Sequence, residues 1–319
     1  MLAPVMLFTY SRPEHTRKVL DALAGNTLAK ETDVYAYTCT PRNEKHAPAV
    51  ESTKEILRSY LDKGAFKSYT IVDKDPFRPL GPAMVEAVTE VIAKNGRVIV
   101  VEDDIVTSPH YLEFMNQCLD FYEDQPNVFS ISGYSPELDF LNSVPGDVYL
   151  VHRACPWGWG TWKDRWDTYD WEVPEYKENM YSRSERMALK KWNTDLPMTL
   201  DALFYEEGCF DKNWEQQFCY YQFRSDRSVV CPKRSLVENI GFDGTGTHEA
   251  PTGLGSTFSE DDSEWNLTPL TIDDELQRRY NKMFVFRRKT RFLLAASGIV
   301  FEVSPRLYYR LLEKYYKKR

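Results

Sequence analysis

Five short β-forming runs, Val5–Phe8, Val34–Thr38, Ser68–Val72, Val98–Val101 and Val128–Ser132, recur about thirty residues apart in the first half of the chain. That interval leaves room for one helix between strands, which is the signature of repeated βα units around a mostly parallel sheet. The intervening segments agree. Ser11-Arg12-Pro13-Glu14 has the form of a capping box, with Ser11 as N-cap and Glu14 at N3, and Val19, Leu20 and Leu23 supply the apolar stripe of the helix it starts. A second helix follows Gly81-Pro82, buries Val85, Val88 and Ile92 and stops near Gly96; a third begins at Ser108-Pro109 and buries Leu112, Met115, Leu119 and Tyr122. In open α/β sheets ligands bind beyond the carboxyl ends of the strands. The loops to inspect are therefore Thr9–Arg12, Cys39–Arg42, Asp73–Gly81 and Glu102–Asp104.

One of these loops carries an unusual charge density. Arg97-Val98-Ile99-Val100-Val101 reads as a buried strand, and it ends in three consecutive carboxylates, Glu102, Asp103 and Asp104. Grouped negative charges repel one another and lose hydration unless a cation or good hydrogen bonds compensate. A hard divalent ion fits, because such ions bind oxygen and commonly take one or two carboxylates plus the phosphates of a substrate. If the strand continued, alternation would put Glu102 and Asp104 on one side and Asp103 on the other. An acidic turn that only caps the following helix is the plainer alternative. Arg12 and Arg78, on neighbouring loops, are candidate partners for phosphate oxygens through their guanidinium forks, or else surface arginines.

Composition narrows the class. At 319 residues, with 42% hydrophobic and 28% charged residues, the chain has the make-up of an ordinary globular protein. The net charge of −8 hides a division, since residues 281–319 hold eleven Lys/Arg against Glu302 and Glu313, a balance of +9 that leaves −17 for residues 1–280. An acidic body argues against nucleic-acid binding. In the basic end, Leu307, Tyr308, Leu311, Leu312 and Tyr315 recur at helical spacing among Arg310, Lys314, Lys317 and Lys318; this stripe would serve either an anionic membrane surface or packing on the body. Cys39, Cys118, Cys155, Cys209, Cys219 and Cys231 show neither a CxxC pair nor a disulfide framework, so a reducing compartment is expected. The N-terminus has no basic n-region, and the longest apolar run, Phe292–Phe301, is too short to span a bilayer. A cytoplasmic protein is expected, or one peripheral on the inner membrane face.

From about Leu150 the sequence turns aromatic and irregular, and Pro156-Trp157-Gly158-Trp159-Gly160 reads as a loop or turn. Residues 250–274, rich in Gly, Ser, Thr, Pro and acids, read as a long loop. Four segments taken in order resemble one family. Residues 100–115 resemble the Glu-Asp-Asp segment of the N-acetylglucosaminyltransferase I family and its bacterial relatives, and Phe8-Thr9-Tyr10-Ser11-Arg12-Pro13 resembles the opening nucleotide-binding loop of that group. Residues 157–166 and 235–248 are similar to signatures of the bacterial members.

The resemblance implies a GT-A fold, α/β and Rossmann-like, with three parts. Residues 1–135 would form the nucleotide-sugar-binding half, 136–250 the acceptor-binding half, and 251–319 the loop and basic amphipathic tail. It implies a nucleotide-sugar donor, Mn²⁺ or Mg²⁺, and sugar transfer with inversion to a glycan or lipid-linked acceptor, as in surface polysaccharide synthesis. Carried over by position, Asp104 would bind the metal, Asp103 would lie near the ribose and metal waters, and Glu102 would contact the donor sugar, with Thr9 and Ser11 in the nucleotide loop. The family's base is a carboxylate just after a Trp. Asn213-Trp214-Glu215-Gln216 occupies that place, which makes Glu215 the candidate base and Asp211 its reserve. His248, at the end of a loop punctuated by Gly241, Gly244 and Gly246, could reach metal or diphosphate or serve as a structural hydrogen-bonding residue. Trp157, Trp159 and Trp162 would contribute an acceptor wall, some of them exposed and some in the core. Where related proteins usually carry Asp-Gly after the second strand to bond the base, this chain has Cys39-Thr40, and a neutral thiol is a poor acceptor for the uracil N–H. UDP is still the expected nucleotide. A sugar nucleotidyltransferase is disfavoured because Phe8–Pro13 contains no glycine, and a non-catalytic carbohydrate-binding protein is disfavoured by the intact acidic triplet.

Overall fold

Runs of β-branched residues with helices between them build the first half of the sheet. The computed structural model describes residues 1–206, 209, 214–243, 258, 264–283 and 298–316. Strands β1 (Val5–Phe8), β2 (Asp33–Cys39), β3 (Ser68–Lys74) and β4 (Arg97–Glu102) alternate with helices α1 (Pro13–Ala24), α2 (Ala47–Arg58) and α3 (Leu80–Asn95). They pair in parallel in the order β3-β2-β1-β4. Register aligns their carboxyl ends, with Phe8 opposite both Tyr37 and Glu102. The loops that follow β1, β2 and β4 therefore open at one level of the sheet. Gly96 makes the passage from α3 to β4 short, because its φ of 77° lets the helix end and the strand begin within one residue.

After β5 (Ile105–Thr107) and α4 (Tyr111–Phe121), the sheet is extended by β6 (Val128–Ser132), β7 (Val148–Val151), β8 (Trp159–Trp162) and β9 (Ser228–Pro232). The full order is β3-β2-β1-β4-β8-β6-β9-β7, with β8 antiparallel to both β4 and β6, and β7 antiparallel to β9. The result is a mixed, mostly parallel sheet of eight strands. Helices α5 (Lys163–Trp166), α6 (Pro174–Asn179), α7 (Arg183–Trp192), α8 (Leu196–Tyr205) and α9 (Glu215–Arg224) fill the connection from β8 to β9. Beyond β9, β10 (Val237–Asn239) returns to pair antiparallel with β5.

Strand alternation divides the interior into two cores. Val5, Leu7, Ile99 and Val101 face α1, α2 and α4, while Met6, Val98 and Val100 face α3 and the helices of the second half. Both faces of the central strands are covered, as the unbroken apolar runs of β1 and β4 require. Each large aliphatic or aromatic side chain so buried contributes about 1.5–3 kcal/mol relative to exposure.

One local expectation changes, and a second gains a docking site. Ser11 does not cap α1; Arg12 holds the N-cap position with no side-chain cap bond, and Pro13, already fixed at a helical φ, begins the first turn. The described part of the long segment before the tail, residues 264–273, carries neither helix nor strand and lies against the first half. Tyr122 Oη donates to the Thr268 carbonyl and Asn127 Nδ2 to that of Leu270, each at 2.8 Å.

The tail itself folds back. Helix α10 (Asp274–Met283) buries Leu276 and Tyr280 against β7 and β9. Residues 298–303 and helix α11 (Pro305–Tyr316) then pack Phe301, Tyr308 and Tyr309 into the core of the second half. A buried carboxylate fixes the docking. Asp201 on α8 is fully buried, accepts hydrogen bonds from Tyr176, Tyr308 and Tyr309, and pairs with Arg186 at 2.9 Å. The stripe read along the tail therefore divides, with Tyr308 and Leu312 turned inward and Leu307, Leu311 and Tyr315 turned outward.

Candidate active site

The acidic turn closes around an arginine. β4 ends at Glu102, so strand alternation does not extend to Asp103 and Asp104, and the turn directs both aspartates to the same partner. Asp103 Oδ1 lies 2.9 Å from Arg12 Nη2 and Asp104 Oδ2 lies 3.0 Å from Arg12 Nη1. The Tyr10 amide donates to Asp103 Oδ2 at 3.3 Å. Arg12, expected to meet phosphate, is thus already held by two carboxylates in a fork geometry that suits a guanidinium.

This one guanidinium faces an excess of negative charge. Burial raises the Glu102 carboxyl well above its usual range, repulsion from Asp104, Glu215 and Asp103 adds to the rise, and Arg12 opposes it. Burial likewise lifts Asp103 to about 6 against the pull of Arg12. Glu215, the first residue of α9, therefore stands within electrostatic reach of Glu102 although 113 residues separate them in sequence. The Gln216 amide donates to Glu215 Oε1 at 3.1 Å. Surplus carboxylate oxygen fits a hard divalent cation, one that would draw the rest of its ligands from a diphosphate. It does not form a closed cage. Among the described residues, no group of three or more His, Cys, Asp or Glu side chains is arranged to hold a metal ion.

A second strand seals the turn. Pairing of β10 with β5 carries the chain back so that the Ile240 amide donates to the Asp104 carbonyl at 2.9 Å and Asn239 Oδ1 accepts from the Gly241 amide at 2.8 Å. Gly241 now presses against the acidic turn. A Cβ there would lie 2.3 Å from Asp104 Oδ2 and 3.0 Å from Arg12 Nη1, so the glycine is needed for this close approach. Gly241→Ala is expected to push the Asp104 carboxylate off Arg12 and weaken nucleotide-diphosphate binding about tenfold or more, while the unfolding midpoint stays near the parent's. Titration calorimetry beside a melting curve checks this, and unchanged affinity would contradict it.

Sequence reading missed three contributors here. His15 Nε2 lies 3.2 Å from the Ile240 carbonyl and 3.3 Å from Asp243 Oδ2, tying α1 to the returning loop. Tyr10 adds its ring, 5.5 Å from those of His46 and Phe77, and its hydroxyl accepts from the Arg42 amide at 2.9 Å. Its place inside the Phe8–Pro13 motif was the available signal; for His15 and for the contact role of Gly241, sequence offers none.

At the ends of β1, β2 and β3, one strand from the acidic turn, lies a small cleft of about 70 Å³ lined by Thr9, Cys39, Lys74, Arg78 and Glu86 among others. The Thr9 hydroxyl is committed to the Tyr37 carbonyl at 2.8 Å. Burial pushes the Cys39 thiol up to about 11, which keeps it neutral, and Arg78 pairs with Glu86 at 2.5 Å from an exposed position. Ser11 is half-buried in the loop above. Asp211 and His248 lie outside the described residues.

Two of the three candidate wall tryptophans belong to the core. Trp159 and Trp162 are each 1% exposed, because β8 sits inside the sheet between β4 and β6 and has both faces covered. The Trp159 ring packs 4.9 Å from Phe218 and 5.1 Å from Trp214, and Trp162 Nε1 donates to the Leu119 carbonyl at 3.0 Å. Trp157 precedes the strand and stays half-buried, edge-on to Tyr134 and to Phe242 of the returning loop. Two of the sequence signatures meet in that last contact.

No family model matches the chain. No curated protein matches it either. Among solved structures, S. aureus TarS 1-349 is similar, with 12% identity and a TM-score of 0.45, over 76% of this chain and 61% of that one. TarS 1-349 in complex with UDP gives 11% and 0.45 over 74% and 60%, and its complex with UDP-GlcNAc gives 10% and 0.43 over 80% and 62%. The chain thus spans about three fifths of the length of the TarS chains it matches.

Proposed function

We propose that this chain is a metal-dependent, inverting glycosyltransferase that moves a sugar from a nucleotide-diphosphate donor, a UDP-sugar by preference, to a hydroxyl of a glycan or lipid-linked acceptor. The observation that supports it is the convergence of Glu102, Asp103, Asp104, Arg12 and Glu215 beyond the carboxyl ends of β1 and β4. The small cleft at the ends of β1, β2 and β3 would receive part of the nucleotide. Kinship with the N-acetylglucosaminyltransferase I group, drawn from the four motifs, is part of the same proposal.

Each residue then has a task. Asp104, with Asp103 near it, would hold a divalent cation, which when bound supplies Lewis-acid stabilisation of the departing diphosphate. Glu102 would accept hydrogen bonds from hydroxyls of the donor sugar. Glu215 would take the proton of the acceptor hydroxyl as that oxygen bonds to the anomeric carbon from the face opposite the diphosphate. The anomeric C–O bond to phosphate breaks in the same displacement, and the nucleoside diphosphate leaves with the bonding electron pair.

A panel of nucleotide sugars in a thermal-shift assay tests this. With Mn²⁺ present, one UDP-sugar at about 100 times its dissociation constant is expected to stabilise the chain by about 2.7 kcal/mol. Chelation should remove the effect. Failure of every nucleotide sugar to stabilise the chain, with metal or without, would sink the reading; binding without any transfer or hydrolysis would leave a non-catalytic sugar-binding protein.

A further inference from the structure

The docking of the tail leaves an apolar stripe turned to solvent. With Phe301, Tyr308 and Tyr309 buried and the Asp201 cluster holding the tyrosine hydroxyls, the outward face of residues 298–316 is set. On it Ile299, Val303, Leu307, Leu311 and Tyr315 follow one another a helical turn apart, exposed by 66, 71, 47, 49 and 51%. Ser304 joins residues 298–303 to α11: its amide donates to the Val300 carbonyl, its hydroxyl accepts from the Leu307 amide and its carbonyl accepts from the Tyr308 amide. α7 runs alongside. Arg183 donates to the Val303 carbonyl at 3.3 Å, Lys190 Nζ stands 3.6 Å from where a Cβ on Gly298 would lie, and Met187 between them is 62% exposed. Six of the ten large hydrophobic side chains exposed among the described residues thus gather in one region.

Cations border the stripe. Arg306, Arg310 and Lys314 are exposed, each one residue before a member of the apolar column, and Arg183 and Lys190 flank Met187. Residues 298–316 carry Arg306, Arg310 and Lys314 against Glu302 and Glu313, and Arg183 and Lys190 of α7 add two more cations beside the stripe. We infer that this face docks on an anionic lipid bilayer, with the apolar stripe entering the headgroup boundary and the cations meeting lipid phosphates. A second copy is a poorer occupant, because pairing through this face would bring the Arg306, Arg310 and Lys314 rows of two copies together. Among the described residues no helix is long and apolar enough to cross a membrane, so the contact is one of lying on the surface. The inference is independent of the chemistry proposed at Asp104.

Removing the tail would be a poor test, since it strips buried Phe301, Tyr308 and Tyr309 and leaves Asp201 and Arg186 without their tyrosine partners. Surface substitutions in the full chain are better. The parent should co-sediment with phosphatidylglycerol vesicles and not with phosphatidylcholine vesicles, and binding should weaken as salt rises. Leu307→Glu with Leu311→Glu should lower partitioning at least tenfold, and Arg306→Glu with Arg310→Glu should do likewise. Both variants should keep the parent's unfolding midpoint and its response to nucleotide sugars, because all four side chains are exposed. The inference fails if the parent stays in solution with anionic vesicles, or if the leucine variant binds them as the parent does. It fails also if the parent is a dimer that the leucine variant dissociates, which would assign the face to a second copy.

Discussion

Asp104→Ala is expected to abolish metal-dependent binding of nucleoside diphosphate, a loss of at least a hundredfold, while the chain still folds. Two features separate ligand loss from unfolding. The backbone bond from Ile240 is made to the Asp104 carbonyl, which alanine retains, and Arg12 keeps its second partner, Asp103, at 2.9 Å. Losing one part-exposed ion pair costs about 0–1 kcal/mol, and removing Asp104 also relieves part of the repulsion that raises Glu102. The effect should therefore fall on binding. Calorimetry with UDP and Mn²⁺ measures it, beside the same titration in chelator. Parent-like affinity in the mutant would take the cation away from Asp104 and leave this carboxylate as a partner of Arg12.

The first half of the fold was legible because buried parallel strands are written as continuous apolar runs. β1 and β6 start and stop where those runs do, and β2, β3 and β4 extend them by one or two residues. β8 was not legible. Trp159-Gly160-Thr161-Trp162 has the look of a turn, and only its neighbours β4 and β6, distant in sequence, make it a strand and bury its tryptophans. Helix α2 did carry a signal, Pro48 in its first turn with Val50, Ile56 and Leu57 on one face, yet it does not figure among the helices read above.

The site divides in the same way. Three carboxylates at the end of a buried strand call for a compensating cation or hydrogen bonds, or mark an acidic turn that caps the next helix. That the first cation they meet is Arg12 depends on the β1/β4 register, which no local pattern encodes. The approach of Gly241 depends in turn on β10 finding β5. Any metal ion or diphosphate bound there would settle among groups that already neutralise one another in part.

Glu215→Gln is expected to leave donor affinity near the parent's and to lower the transfer rate by about 10²–10⁴-fold, the range for loss of a general base. The amide keeps the size of the side chain and its place at the start of α9, beside buried Trp214, so no cavity opens. Its loss of charge has two opposed effects on stability. A carboxylate in the first turn of a helix contributes about 0.3–1 kcal/mol through the helix dipole, whereas neutralising it relieves repulsion with Glu102. Stability should change little. On the proposed reading donor binding would engage Asp104 and the cleft beside β1 without needing Glu215 charged, which is why affinity and turnover should separate. Single-turnover transfer with saturating donor and acceptor, set against calorimetric donor affinity, makes the comparison. A mutant that turns over at the parent's rate would pass the base role to Asp211 or to another carboxylate of the second half, whereas donor affinity falling in step with rate would place Glu215 in the donor site instead.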